Sequence, residues 1–136
     1  MTTLIFSGAA TIDKIWPLLR AGIESALETS HEECTIDDIY EGIKLGRTIV
    51  LYVAEKQSYF GMVIGMYNFP RYKIARVLLG FGKNICKEKA SWEIVEDWAR
   101  QNGCKYIEAW VATESRAKLF SRFGFKKTYQ IVRSVL

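Results

Sequence analysis

Residues 91–111, SWEIVEDWARQNGCKYIEAWV, read as a helix, a tight stop and a strand, and the expectation for the whole fold grows from them. Ser91 stands where an N-cap belongs, Glu93 suits the positive end of a helix dipole, and Trp92, Ile94, Val95, Trp98 and Ala99 recur at helical spacing on one broad face. Arg100 complements the last turn, and Gly103 supplies the left-handed residue that stops a helix. Residues 105–111 then alternate, with Tyr106, Glu108 and Trp110 on one side and Ile107, Ala109 and Val111 on the other. A helix that returns directly into a strand predicts a sheet covered by that helix.

Upstream, residues 4–6 form a short apolar run ended by Ser7 and Gly8 and are expected to be a first strand. Ile12, Ile15, Trp16, Leu19, Ile23, Ala26 and Leu27 keep helical spacing through about four turns. Pro17 lies inside that pattern, which predicts either a kink or a helix that begins near Trp16. Thr35 and Asp38 have the spacing of a capping box; Ile36, Ile39, Tyr40 and Ile43 supply a buried stripe, and Gly46 ends it. From residue 48 the period becomes that of strands: 49–54, 59–67 and 73–79 are three apolar runs joined by turns, the second carrying Gly61 and Gly65, which mark bulges or leave room for a bulky neighbour. After the central helix and strand, residues 113–123 read as a last helix with Ala117, Leu119, Phe120 and Phe123 inward, closed by Gly124, and residues 125–135 as a final strand or hairpin arm.

At 136 residues the chain makes one domain, 1–136, able to bury roughly two thirds of its unfolded surface. The 49% hydrophobic and 25% charged residues are ordinary for a globular protein, and no apolar run approaches the roughly 20 residues of a membrane helix. The opening MTTLIFSGAATIDK has no basic region and too short an apolar run for a signal peptide, so a cytoplasmic protein is expected. Cys34, Cys86 and Cys104 are widely spaced with no C-x-x-C pair, which predicts reduced thiols and neither a disulfide framework nor a metal site. A net charge of +4 is compatible with an acidic ligand but too dispersed for nucleic acid. The basic residues near 83–89 and 116–127 read first as a solvated surface.

The order of elements and particular residues resemble the GNAT family (Gcn5-related N-acetyltransferases) over nearly the whole chain. AATIDKIWPLL is similar to the family's first strand and helix start, WEIVEDWARQNGCKYIEAWV to the helix of its cofactor motif running into the fifth strand, and KLFSRFGFKKT to its closing L-Y-x-x-x-G-F element. Ile15-Trp16-Pro17-Leu18-Leu19, the T-I-D-D-I-Y segment, Phe69-Pro70-Arg71-Tyr72-Lys73 and the terminal Val132-Arg133-Ser134-Val135-Leu136 are similar to small GNAT-like proteins of tailed bacteriophages. The resemblance implies an α+β fold, an α/β/α sandwich whose mixed, mostly antiparallel sheet carries about four helices. It also implies acetyl-CoA as the acyl donor, with no metal.

The same resemblance directs attention to the segment before the central helix. In the family a glycine-rich Q/R-x-x-G-x-G/A loop holds the pyrophosphate of coenzyme A on backbone N–H groups and a helix N-terminus. Here that motif falls on residues 83–88, where Lys83 stands in for the arginine but Cys86 and Glu88 occupy the glycine positions, and a carboxylate beside a pyrophosphate is repelled. Gly80 and Gly82 lie just upstream, so the expected cofactor-binding residues are Leu79, Gly80, Phe81, Gly82, Lys83 and Asn84, with Phe120 from the last helix. A glycine-relaxed strand end is the structural alternative for the same residues. Phe120 matches the position of a tyrosine that many family members use to protonate the leaving thiolate, and it has no proton to give. Glu108 and Glu55 are candidate bases by motif position, and Tyr67 an alternative acid, each equally readable as a rim or packing residue. His31 reads as a loop residue, and Cys86 as a thiol that a helix N-terminus would activate or as a mere backbone position.

Two functional classes follow. One is a GNAT-fold module with a degenerate acyl-CoA motif that binds a phage or host protein in the host cytoplasm or the virion, or a second copy of itself; the 13% aromatic residues, more than one core needs, favour it. The other is an acetyl-CoA dependent N-acetyltransferase acting on a primary amine through an atypical site. Neither nucleic acid nor membrane is an expected partner.

Overall fold

The computed structural model describes residues 4–28, 34–55, 58–82, 89–111 and 113–136. They form β1 (Ile5–Ser7), α1 (Ile12–Leu27), α2 (Ile36–Lys44), β2 (Thr48–Glu55), β3 (Ser58–Asn68), β4 (Lys73–Phe81), α3 (Lys89–Gln101), β5 (Cys104–Ala109) and α4 (Glu114–Ser121). The strands make one sheet in the order β1-β2-β3-β4-β5, antiparallel throughout except for the parallel pair β4–β5. Parallel neighbours need a crossover, and α3 provides it.

Alternation along the strands feeds two cores. Leu51, Val53, Phe60, Met62, Ile64, Ala75 and Val77 join Trp92, Val95 and Ala99 of α3 on one face. Val50, Tyr52, Val63 and Phe81 join Ile12, Leu19 and Ile23 of α1 and Ile39 and Ile43 of α2 on the other. The result is an α/β/α sandwich with one pair of helices on each side.

Local chemistry accounts for the helix ends. Thr35 accepts from the Asp38 backbone N–H while Asp38 accepts from that of Thr35, completing the expected capping box of α2. At the other end Arg47 N–H donates to the Gly42 carbonyl and Gly46 N–H to that of Ile43, with Gly46 at φ 78°, a Schellman closure that favours glycine. Pro17 neither ends nor delays α1, which starts at Ile12. The proline stands so near the N-terminus that the single carbonyl it leaves unpaired, that of Asp13, belongs to the first turn.

Three expectations need correction. Ser91 is not an N-cap: α3 begins two residues earlier at Lys89, and Ser91 is buried within it. Ile94, expected on the apolar face, points to solvent, because the buried face of α3 is the narrower stripe Trp92, Val95 and Ala99. Residues 125–135 do not form a strand; after Gly124 the chain runs to its end without regular structure and is exposed beyond Phe125. Gly61 and Gly65 serve crowding within the sheet. A Cβ at Gly61 would stand only 1.9 Å from the Leu51 carbonyl oxygen, and one at Gly65 would meet the Tyr67 ring at 3.0 Å.

Candidate functional site

The last two strands of the sheet part company at a defined place. Parallel pairing of β4 with β5 runs from Lys73↔Cys104 to Val77↔Ala109 and stops, whereas β4 continues against β3 as far as Gly61↔Phe81. Between these regions the β3–β4 register shifts, with Val63 opposite Leu79 and Ile64 opposite Val77, so Leu78 is the extra residue of a β-bulge. A bulge bends its strand, and β5 ends at the level of this one. Beyond it, the outer backbone edge of residues 78–81 has no strand partner among the described residues.

The expected cofactor residues on β4 sort by this geometry. Leu79 is half-buried against the α1–α2 core. Phe81 lies within that core, close enough to α1 that a Cβ at Gly22 would stand 3.3 Å from its ring. Gly82 has φ 70° and lies so near β3 that a Cβ would meet Phe60 Cβ at 2.7 Å and the Tyr59 carbonyl oxygen at 2.8 Å. Gly80 is exposed, as is Gly82, but only at Gly80 is there room: a Cβ there would have no neighbour closer than the Gly61 carbonyl oxygen, at 3.7 Å. Lys83, Asn84, Cys86, Glu88 and His31 lie outside the described residues.

Beside the bulge, on the α1–α2 face of the sheet, the structure assembles a cluster from three strands. Arg76 of β4 is paired in register with Glu108 of β5, its Nε donating to Glu108 Oε1 at 2.6 Å and its Nη2 lying 2.5 Å from the same oxygen. Its guanidinium carbon sits 4.6 Å from the ring centroid of Tyr67 and 4.3 Å from that of Trp110. The side chains of Arg76 and Glu108 are 17% and 30% exposed, so the pair is shielded but reachable. The Tyr67 hydroxyl and Leu78 both pack on Gly65, at 3.1 and 3.3 Å from where a Cβ would be, which brings that O–H beside the bulge. A fixed cation, a carboxylate and a phenol thus line the place where the strands separate.

Glu108 and Tyr67 therefore come together, and Glu55 does not join them. Glu55 lies at the exposed end of β2, three strands or about 14 Å across the sheet from β5 and at its opposite end along the strands. Phe120 turns to the other face, where its ring meets Trp92 at 5.6 Å and Phe125 at 5.1 Å between centroids. Arg76 and Trp110 are the site residues that sequence pattern alone did not single out. The signal for Arg76 was a cation inside the apolar run IARVLLGF, which a buried strand tolerates only with a partner. Among the described residues Cys104 carries a free thiol, and burial pushes it above its ordinary range. Also among them, no cluster of three or more metal-ligating side chains occurs, and no helix is long and apolar enough to cross a membrane.

No protein-family model matches the chain, and no curated protein matches it in sequence. Solved structures do match it in shape. An aminoglycoside N-acetyltransferase, AAC(6')-Iy, in complex with CoA aligns with a TM-score of 0.74 at 9% identity, over 100% of this chain and 95% of that one. The ribosomal-protein-alanine N-acetyltransferase of Brucella melitensis biovar Abortus 2308 aligns with a TM-score of 0.67 at 13% identity, over 100% and 99%. A GNAT family acetyltransferase of Staphylococcus aureus subsp. aureus USA300_TCH1516 aligns with 0.61 at 10%, over 99% and 98%. At these identities the likeness is one of fold: the chain has the GNAT-like fold, with a mixed five-stranded sheet and four helices among the described residues.

Proposed function

We propose that the protein is an acyl-CoA dependent N-acyltransferase, with acetyl-CoA as donor and a primary amine as acceptor. The observation that carries this reading is the end of β4–β5 pairing at the Leu78 bulge, which leaves an open backbone edge in a fold shared with a CoA-bound acetyltransferase. An unpaired strand edge presents N–H and C=O groups in a row, and the amide-bearing arm of coenzyme A has the complementary groups. The residues present fit such an arm: Leu79 and Gly80 line the edge, and Gly80 leaves it open. Acyl-CoA would supply an activated thioester there. Glu108, close to the bulge, would accept a proton from an acceptor amine, and Tyr67, whose hydroxyl lies beside the bulge, would give one to a leaving thiolate. Arg76 keeps Glu108 in place, and positioning of the two substrates supplies the remainder of the acceleration.

Binding tests this first. Acetyl-CoA at 1,000 times its dissociation constant should stabilise the fold by about 4 kcal/mol, visible as a rise in melting temperature. A Cβ at position 80 meets no close neighbour, so Gly80→Val should retain the fold and weaken acetyl-CoA binding about tenfold. A melting temperature indifferent to both acetyl-CoA and CoA would overturn the enzyme reading. In that event the second reading stands, a GNAT-fold interaction module with a phage or host protein as partner. Phe120, which offers no hydroxyl and is committed to the Trp92 cluster, favours it.

A further inference from the structure

A cavity lies across the sheet from the open edge of β4. Strand register sets Ile5, Tyr52, Gly61 and Phe81 in one row, so β1 stands level with Phe81 and three strands, about 14 Å, away from it. There the start of α1 meets β1 and β2 around a cavity of about 280 Å³, lined by Ile5, Ser7, Thr11, Lys14, Ile15 and Tyr52. Small-molecule sites occupy roughly 300–1,000 Å³, so this one suits a ligand at the lower end of that range. It opens to solvent where Ile5, Thr11 and Lys14 are exposed.

The lining combines an apolar wall with polar groups that have donors to spare. Ser7, only 2% exposed, meets Thr11 hydroxyl to hydroxyl at 2.8 Å. Thr11 precedes α1 without capping it, and among the described residues neither hydroxyl has a further hydrogen-bond partner. Two hydroxyls spend one hydrogen on each other, which leaves the second to donate elsewhere. Lys14 pairs with no carboxylate among the described residues. The carboxylate next to it in sequence, that of Asp13, is already taken by Tyr40 Oη and Lys44 Nζ. One unpaired cation and one spare hydroxyl hydrogen match a single negative charge. A phosphate dianion asks for more fixed donors and more positive charge than this lining holds.

We infer that this cavity is a second ligand site, separate from the open edge, and that it takes a small monocarboxylate with an apolar body. The carboxylate sits on Lys14 and the Ser7–Thr11 hydroxyl pair, and the body lies against Ile5, Ile15 and Tyr52. Helix α1 borders both places, since its first turn lines the cavity and its Gly22 packs against the Phe81 ring.

Phenylacetate is the probe, with about ten non-hydrogen atoms and an expected dissociation constant of about 1 mM. In an amide NMR titration of the isotope-labelled full chain it should shift Ile5, Ser7, Thr11, Lys14 and Ile15 saturably. Lys14→Gln, at an exposed position, should weaken binding about tenfold, and so should exchange of the probe for neutral phenylacetamide. Acetate, which has the charge without the body, should give no saturable shift. Failure to saturate by about 10 mM phenylacetate, unchanged affinity in Lys14→Gln or for phenylacetamide, saturation by acetate, or shifts centred on Arg76 and Gly80 would each overturn the proposal.

Discussion

Arg76 shows how one side chain fixes the character of the site. Its guanidinium is held by a carboxylate through two of its nitrogens and packs on two rings, an arrangement that suits a planar delocalised cation and would not suit lysine. With both partners largely shielded, removing one leaves the other stranded. Glu108→Ala should cost about 1–2 kcal/mol in urea unfolding, below the 3–5 kcal/mol of a fully buried pair, because solvent still reaches the site. Replacing Arg76 and Glu108 together by leucine should restore most of that loss, because no charge is then left unpaired. At this scale the sequence was half legible. Glu108 and Tyr67 could be named from motif position, but that they meet depends on strand register, which alternation does not encode. Arg76 was visible as a cation in an apolar strand, and its partner, 32 residues away, was not.

Elements were read more securely, because caps and stops are local. The Thr35 capping box is one case, and Thr35→Ala should lower stability by about 1 kcal/mol in denaturant unfolding. Ser91 is the counter-example: a good capping residue was overridden once tertiary packing placed it inside the helix. The two strand glycines separate by what they face. Gly61→Ala drives a methyl into the β2 backbone and should cost about 3 kcal/mol or more, whereas Gly65→Ala meets the movable Tyr67 ring and should cost about 1 kcal/mol, compared by urea midpoints. Helices α1 and α2 are clasped by Asp13, which accepts from Tyr40 Oη at 2.5 Å and from Lys44 Nζ at 2.7 Å, while Tyr40 also packs on Trp16. The hydrogen bond from Lys44, then that from Tyr40, holds the Asp13 carboxyl below its ordinary range. Its contribution is complete above the unfolded aspartate value, about 3.9, and fades as pH falls through the lower folded value. The hydrogen bond to Asp13 holds Tyr40 and Lys44 above their ordinary ranges, so their contribution is complete below about pH 10 and fades as pH rises through the folded values. Trp16 fluorescence should report both transitions, and Asp13→Asn should abolish the acid one.

In the whole molecule, two cores share one sheet, and the α3 side extends to the end of the chain through a single residue. None of the side chains of α4 is fully buried, and Phe120, Phe123 and Phe125 all converge on Trp92 within 6.0 Å. Trp92→Ala should cost about 3–5 kcal/mol and release α4, so that trypsin cuts first at Arg116 and Lys118. The order of elements was legible as a fold because each carried its own periodicity and stop. The last segment was not: residues 125–135 carry a strand-like pattern, yet they lie outside the sheet. The bulge at Leu78 belongs to this scale as well. Ala75 and Val77 serve one core while Leu79 and Phe81, of the same parity in sequence, serve the other. β4 is in effect two strands of opposite phase spliced at one residue, and the splice marks where β4 and β5 part. Sliding it by two residues would keep both cores supplied and move that point by about 6.6 Å, so that a neutral-looking rearrangement of apolar residues would reset the length of ligand the proposed site admits.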